Sequence, residues 1–172
     1  MNIKQKGQTL IEILVALSIA AVLVSATSVA VLSALSNAEF AKQQSLASQY
    51  ADQGIEIIRS MRNNDYSNFQ QLSGTYCMAS SCNSLVNTSS NACGISTDPT
   101  GVISCGQNVS TFVRTVNVSP TNAGATDCNT AGYKVSVNVA WADAKCTDST
   151  KPFCHILTIS TCLSNYQIEP TP

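Results

Sequence analysis

Hydrophobic and polar positions alternate along this chain with three different periods, and the order of those periods outlines the architecture. A short polar, basic start (Met1 to Gly7, with Lys4 and Lys6) gives way to an apolar run. From Ile13 to Leu35 there is no charged residue, no Pro and no Gly, which is long enough to cross a bilayer as a helix. The next segment, Ser36 to about Arg62, also lacks Pro, but its apolar residues thin to one side. Leu46, Tyr50, Gly54, Ile57 or Ile58, and Met61 recur at helical spacing, while Glu39, Lys42, Gln43, Gln49, Asp52, Glu56 and Arg59 lie opposite. The spacing therefore predicts one continuous helix, on the order of 80 Å long from Gln8 to Arg62, apolar all round at first and one-sided later. Asn63-Asn64-Asp65 supplies a cluster that ends it.

The period then changes to two. Phe112 to Val118 is β-branched and loosely alternating. Tyr133 to Trp141 alternates strictly, with Tyr133, Val135, Val137, Val139 and Trp141 on one face and Lys134, Ser136, Asn138 and Ala140 on the other. Cys154 to Cys162, containing Ile156, Leu157 and Ile159, is a third strand. One covered and one wet face is the pattern of an antiparallel sheet, and the one-sided half of the helix is its cover. The predicted organisation is 1–7 leader, 8–35 apolar helix, 36–63 amphipathic helix and a 64–172 head. Within the head, 64–110 reads as a Cys-containing loop region, 111–162 as a three-stranded antiparallel sheet and 163–172 as a tail. The fold class is α+β.

Composition sharpens this picture in one respect. The eight cysteines, Cys77, Cys82, Cys93, Cys105, Cys128, Cys146, Cys154 and Cys162, all lie beyond the apolar run, in a region rich in Ser, Thr and Asn. An even count so placed reads as a disulfide framework formed outside the reducing cytoplasm. The rival is zinc, with Cys77 and Cys82 as half a site. No matching second close pair follows, and His155 stands alone, so no metal or other cofactor is expected. Spacing does not determine connectivity, although Cys146 and Cys154 are placed to close a loop across the hairpin between the last two strands.

No phosphate loop, nucleophile elbow or metal-binding His pair is present, and the chain reads as a non-enzyme. Asp143 and Asp148 flank Cys146 as solvated turn acids, and His155 is assigned a structural or exposed place on its strand. Asn87, Asn108 and Asn117 begin Asn-x-Ser/Thr patterns that chance explains in so Asn- and Ser-rich a chain. The net charge is −1. Arg114 and Lys134, assigned to solvent faces, fall far below a nucleic-acid footprint, so nucleic acid is not expected as the main partner.

Candidate chemistry concentrates at the N-terminus, where Glu12 interrupts an apolar surface that penalises an ionised carboxylate. The sequence Lys6-Gly7-Gln8-Thr9-Leu10-Ile11-Glu12 resembles the signal of type IV prepilins and pseudopilins: a short basic leader, a Gly before the scissile bond, and a glutamate as fifth residue of the mature chain ahead of an apolar helix. The resemblance implies cleavage between Gly7 and Gln8 by prepilin peptidase on the cytoplasmic side, N-methylation of Gln8, and assembly through Glu12, paired with the amino terminus of a neighbouring subunit. Implied partners are other pilin subunits, prepilin peptidase, an inner-membrane assembly platform and, before assembly, membrane lipid. The implied location is a single-pass membrane protein with a cytoplasmic N-terminus and exported head, then an extracellular or periplasmic filament. The strand order is also similar to that of minor pilins and their type II secretion relatives. Gln8 stands where the family commonly has Phe or Met, and Val29 near a frequent Pro; both weaken assignment as an abundant major subunit, and the expected role is that of a minor or priming pilin. The nearest alternative is a pseudopilin of a type II secretion or DNA-uptake system. The alternative of another class is a membrane-anchored or secreted disulfide-rich binding domain that does not polymerise. A secretory signal would use Leu14 to Leu23 as its core and Val24-Ser25-Ala26 as its cleavage site; Glu12, and the continuation of the apolar run to Leu35, argue against it.

Overall fold

The computed structural model describes residues 8–85, 92–96, 105–121, 128 and 132–164. The chain divides into two compact units, Met1–Gln43 and Gln44–Pro172. Helix α1 (Gln8–Asn64) runs through the boundary. In the first unit its residues from Leu10 to Leu35 are exposed on every side.

The second unit is built on the remainder of α1 and an antiparallel sheet. After α1 come a short helix α2 (Tyr66–Phe69) and strands β1 (Gly74–Met78), β2 (Cys93–Ile95), β3 (Val113–Thr121), β4 (Gly132–Trp141) and β5 (His155–Ser164). Asp65 caps α2, accepting a hydrogen bond from Asn68 N at 3.1 Å. The strand order is β2-β1-β3-β4-β5. Val116 lies between Tyr76 of β1 and Val137 of β4, and Val137 pairs in turn with Ile159 of β5.

Two of the five strands correct the reading of 64–110 as loops and of the sheet as three-stranded. β1 and β2 are too short and too Cys- and Gly-rich to show a period of two, and they exist as strands through their pairing with β3 and with each other. The three expected strands are present with ends shifted by up to three residues, and α1 reaches Asn64.

The register sorts side chains onto two faces. Tyr76, Met78, Val116, Val118, Val135, Val137 and Val139 form the covered face, each nearly or fully buried. Against it lies the stripe Ala47, Ala51, Gly54, Ile55 and Ile58 of α1, also buried. This stripe is turned from the expected one: Leu46, Tyr50, Ile57 and Met61 flank it, half-buried. Small residues at its centre explain the shift, since they let the helix approach closely. A Cβ added at Gly54 would stand 2.9 Å from Val137 Cγ1 and 3.4 Å from Arg114 Cδ.

On the opposite face Cys77, Cys105, Val113 and Ala140 form a small buried cluster with Phe153 against it. The rest of that face is a polar ladder. Asn117 donates to Thr75 Oγ1 at 3.0 Å, Ser136 and Ser160 stand 2.8 Å apart, and Thr158 donates to Asn138 Oδ1 at 2.7 Å. All eight cysteines are paired: Cys77–Cys105, Cys82–Cys93, Cys128–Cys162 and Cys146–Cys154. Cys82–Cys93 ties the end of β1 to β2, and Cys146–Cys154 closes the β4–β5 connection.

Arg114 departs from the expectation of a solvent-facing cation. It is fully buried on the covered face, in phase with Val116 and Val118. Its guanidinium donates from Nε to Met78 O (2.9 Å), from Nη1 to Tyr50 O and Gln53 Oε1 (both 3.0 Å) and from Nη2 to Ala79 O (3.0 Å). One side chain thus joins α1 to the end of β1, using four hydrogen bonds and, among the described residues, no carboxylate. Burial pulls the guanidinium down to about 10, against a smaller opposing influence of the Tyr50 phenol. Beyond Cys77 and Thr115, where the β1–β3 pairing ends, the Asn108 side chain takes over as a rung. It accepts from Arg114 N at 2.7 Å and donates to Arg114 O at 2.8 Å. Lys134 is half-buried on the ladder face.

Candidate processing and assembly site

The residues singled out at the N-terminus fall at the start of α1. Gly7 lies outside the described residues, Gln8 is the first residue of α1, and Glu12 is exposed one turn further along. The absence of Pro and Gly from Gln8 to Gln53 and the Ala- and Leu-rich composition favour an unbroken helix from that point. Positions four apart share a helix face, so Gln8 and Glu12 lie on one side of α1.

The surface around Glu12 is apolar. Fourteen large apolar residues between Leu10 and Leu35 are at least half exposed, from Val15 at 51% to Val29 at 69%. Burying such side chains is worth about 1.5–3 kcal/mol each, so leaving the whole set in water would cost on the order of tens of kcal/mol. This half of α1 therefore requires a hydrocarbon phase or neighbouring helices. It is long and apolar enough to cross a membrane. Four hydroxyl groups along it suit that environment, because each of them bonds to its own helix. Ser18 donates to Val15 O, Ser25 to Ala21 O and Ser28 to Val24 O, each at 2.8 Å, and Thr27 to Val24 O at 3.0 Å. Glu12 is the one ionisable group between Leu10 and Leu35, and its carboxylate has no such internal solution.

Away from α1, the structure brings together residues that were read separately. Asp143 Oδ2 stands 3.0 Å from His155 Nε2, and the imidazole stacks on Trp141 with ring centres 5.3 Å apart. Asp143 is thus more than a solvated turn acid. Burial acts to raise its carboxyl, but the Lys145 amide and His155 outweigh it and hold the carboxyl below its ordinary value. Asp148 accepts from Thr150 Oγ1 (2.7 Å) and N (2.9 Å), which lower it likewise. Signals for the two missed arrangements were present. Arg114 shares its parity along β3 with Val116 and Val118, and Asp143 and His155 each sit close in sequence to a cysteine of the same bridge.

An α+β chain in which a fully exposed apolar helix precedes a disulfide-bonded sheet fits a membrane-anchored protein. The more specific likeness comes from the N-terminus: residues 2–28 match the family described as the prokaryotic N-terminal methylation motif. No curated protein and no solved structure matches the chain. A prepilin-type motif running into a long apolar helix is consistent with a type IV pilin-like protein, and it points to a structural subunit.

Proposed function

We propose that this chain is a minor or priming subunit of a type IV pilus, cleaved between Gly7 and Gln8 by prepilin peptidase, methylated at Gln8 and assembled through α1. The observation that carries the reading is the methylation motif over residues 2–28 joined to a helix whose apolar residues are exposed all round. Membrane lipid covers that surface before assembly, and the helices of neighbouring subunits cover it afterwards. Cleavage frees an α-amino group on Gln8, and methylation leaves it able to carry positive charge. In a bundle of apolar helices that charge attracts Glu12 of the next subunit more strongly than it would in water, and an unpaired Glu12 is costly. The pair therefore selects the axial register at which subunits join.

The test is the intact mass and N-terminal sequence of the protein recovered from membranes, with and without active prepilin peptidase. A methylated product starting at Gln8, formed only with the peptidase, is expected. A start at Met1 in both strains, or near Thr27, would overturn the reading. For the pairing step, Glu12→Ala should insert in the membrane normally and fail to enter filaments; normal incorporation would refute it.

A further inference from the structure

The β4–β5 connection gathers four side chains that ligate metals. One ligand atom from each of Asp143, Cys146, Cys154 and His155 lies within 4.8 Å of the others. The fold holds them there. The Asp143–Cys146 turn is closed by Cys146 N donating to Asp143 O at 3.1 Å and by Asp143 N donating to Cys146 Sγ at 3.4 Å. Cys154 is followed at once by His155, whose backbone pairs with Trp141 and whose ring lies on the Trp141 indole. Lys145 N donates to Asp143 Oδ1 at 2.8 Å, which leaves Oδ2 facing His155. In the oxidised protein the two sulfurs are bonded to each other, and Asp143 and His155 alone are too few ligands for a closed site.

We propose that Cys146–Cys154 is the reducible bridge of the four and that its reduced form, with Asp143 and His155, is a tetrahedral zinc site. Access decides which bridge opens, because a reductant must reach a sulfur. Cys154 is exposed and Cys146 half-buried. Cys162 is exposed as well, but its partner Cys128 is buried, and each of the other two bridges also has at least one buried cysteine, so Cys146–Cys154 is the one bridge with neither cysteine buried. The geometry needs little change. Two thiolates on one zinc ion stand about 3.8 Å apart, and a His nitrogen and carboxylate oxygen about 3.4 Å apart. Rotation of the Cys146 and Cys154 side chains, whose Cα atoms are 5.4 Å apart, opens the sulfurs to that distance. The Asp143–His155 pair, now at 3.0 Å, has only to widen slightly.

The chemistry balances with a dithiol as reductant. Its two thiols become a disulfide, two electrons and two protons pass to Cys146 and Cys154, and zinc binding then expels the two thiol protons. Exchange with a disulfide oxidant, which takes up the two electrons and two protons and leaves as two thiols, re-forms the Cys146–Cys154 bond and returns zinc to solution. The inference does not depend on the filament reading, since it concerns the head alone.

The experiment uses the full oxidised chain, metal-free in detergent micelles without oxygen, titrated with a phosphine reductant. Differential alkylation read by peptide mass should label Cys146 and Cys154 before the other six cysteines; prior opening of any other bridge would overturn the proposal. At that point one equivalent of cobalt(II) should give the visible absorption of a tetrahedral thiolate site, bleached by one equivalent of zinc. Absence of that spectrum, or equal zinc binding by the unreduced protein, would also overturn it. Asp143→Asn and His155→Gln both keep the disulfide, and Trp141 emission reports their fold. Each should weaken zinc binding at least about tenfold. Unchanged affinity in both would refute the ligand set.

Discussion

Replacing Arg114 by Met tests what a buried, unpaired cation contributes to this fold. Two opposed quantities follow from the structure. A guanidinium held at about 10, well below its ordinary value, carries a burial cost on the order of 3 kcal/mol, which Met removes. Against this stand four hydrogen bonds from a charged donor, to Met78 O, Ala79 O, Tyr50 O and Gln53 Oε1. At the low end of about 1.5 kcal/mol each they total about 6 kcal/mol. Two of the acceptors are partly compensated without Arg114, because Ala79 O still receives Cys82 N at 3.2 Å and Gln53 is exposed to water. The balance is a loss of about 3 kcal/mol at most for Arg114→Met, and about 1–3 kcal/mol with that compensation. Arg114→Lys keeps the buried charge but gives up the planar fork that spans four acceptors, so it should lose at least as much. The assay is guanidinium chloride unfolding of the full chain in micelles, with all disulfides intact. Trp141, the only tryptophan, lies between Phe112 and His155 and reports the transition. With a slope of about 3 kcal/mol per molar, the midpoint should fall by about 0.3–1 M for Met. A Met variant as stable as the parent would show that desolvation outweighs the fork, and the reasoning would fail.

Gly54→Val should destabilise the head by about 1–3 kcal/mol in the same assay, because its Cβ would press on Val137 of β4. An unchanged midpoint would mean the two elements separate without penalty. Stability should also decline in acid. Asp65 is lowered chiefly by the Asn68 N–H, Asp148 by Thr150, and Asp143 by Lys145 and His155 against the effect of burial. A carboxyl with a depressed folded-state value binds protons more weakly than in the unfolded chain. Its stabilising effect is therefore complete above the ordinary value of 3.8 and is lost as pH falls through the lower, folded one. Asp65→Asn should flatten this acid limb, and an identical pH profile in the variant would refute the assignment.

The sequence by itself determined the parts of this protein that depend on neighbours along the chain. The length of the apolar run, the Gly7-to-Glu12 spacing, the helical period to Met61 and the alternation of Tyr133 to Trp141 are all local signals. Each was readable because helix and strand periods write themselves into consecutive residues. Tertiary structure decided the rest. β1 and β2 are strands only because β3 offers them hydrogen-bond partners. The buried stripe of α1 kept Gly54 but turned toward Ala47, Ala51 and Ile55 because β4 allows a close approach there, which no helical period announces. Arg114 is interior because four acceptors from α1, β1 and the segment beyond it converge on one point, so its partners lie far away in sequence. The pairing of eight cysteines, and the meeting of Asp143 and His155 beside one of the bridges, likewise depend on which strands are adjacent. That adjacency is a property of the packed sheet, and the residue order does not record it.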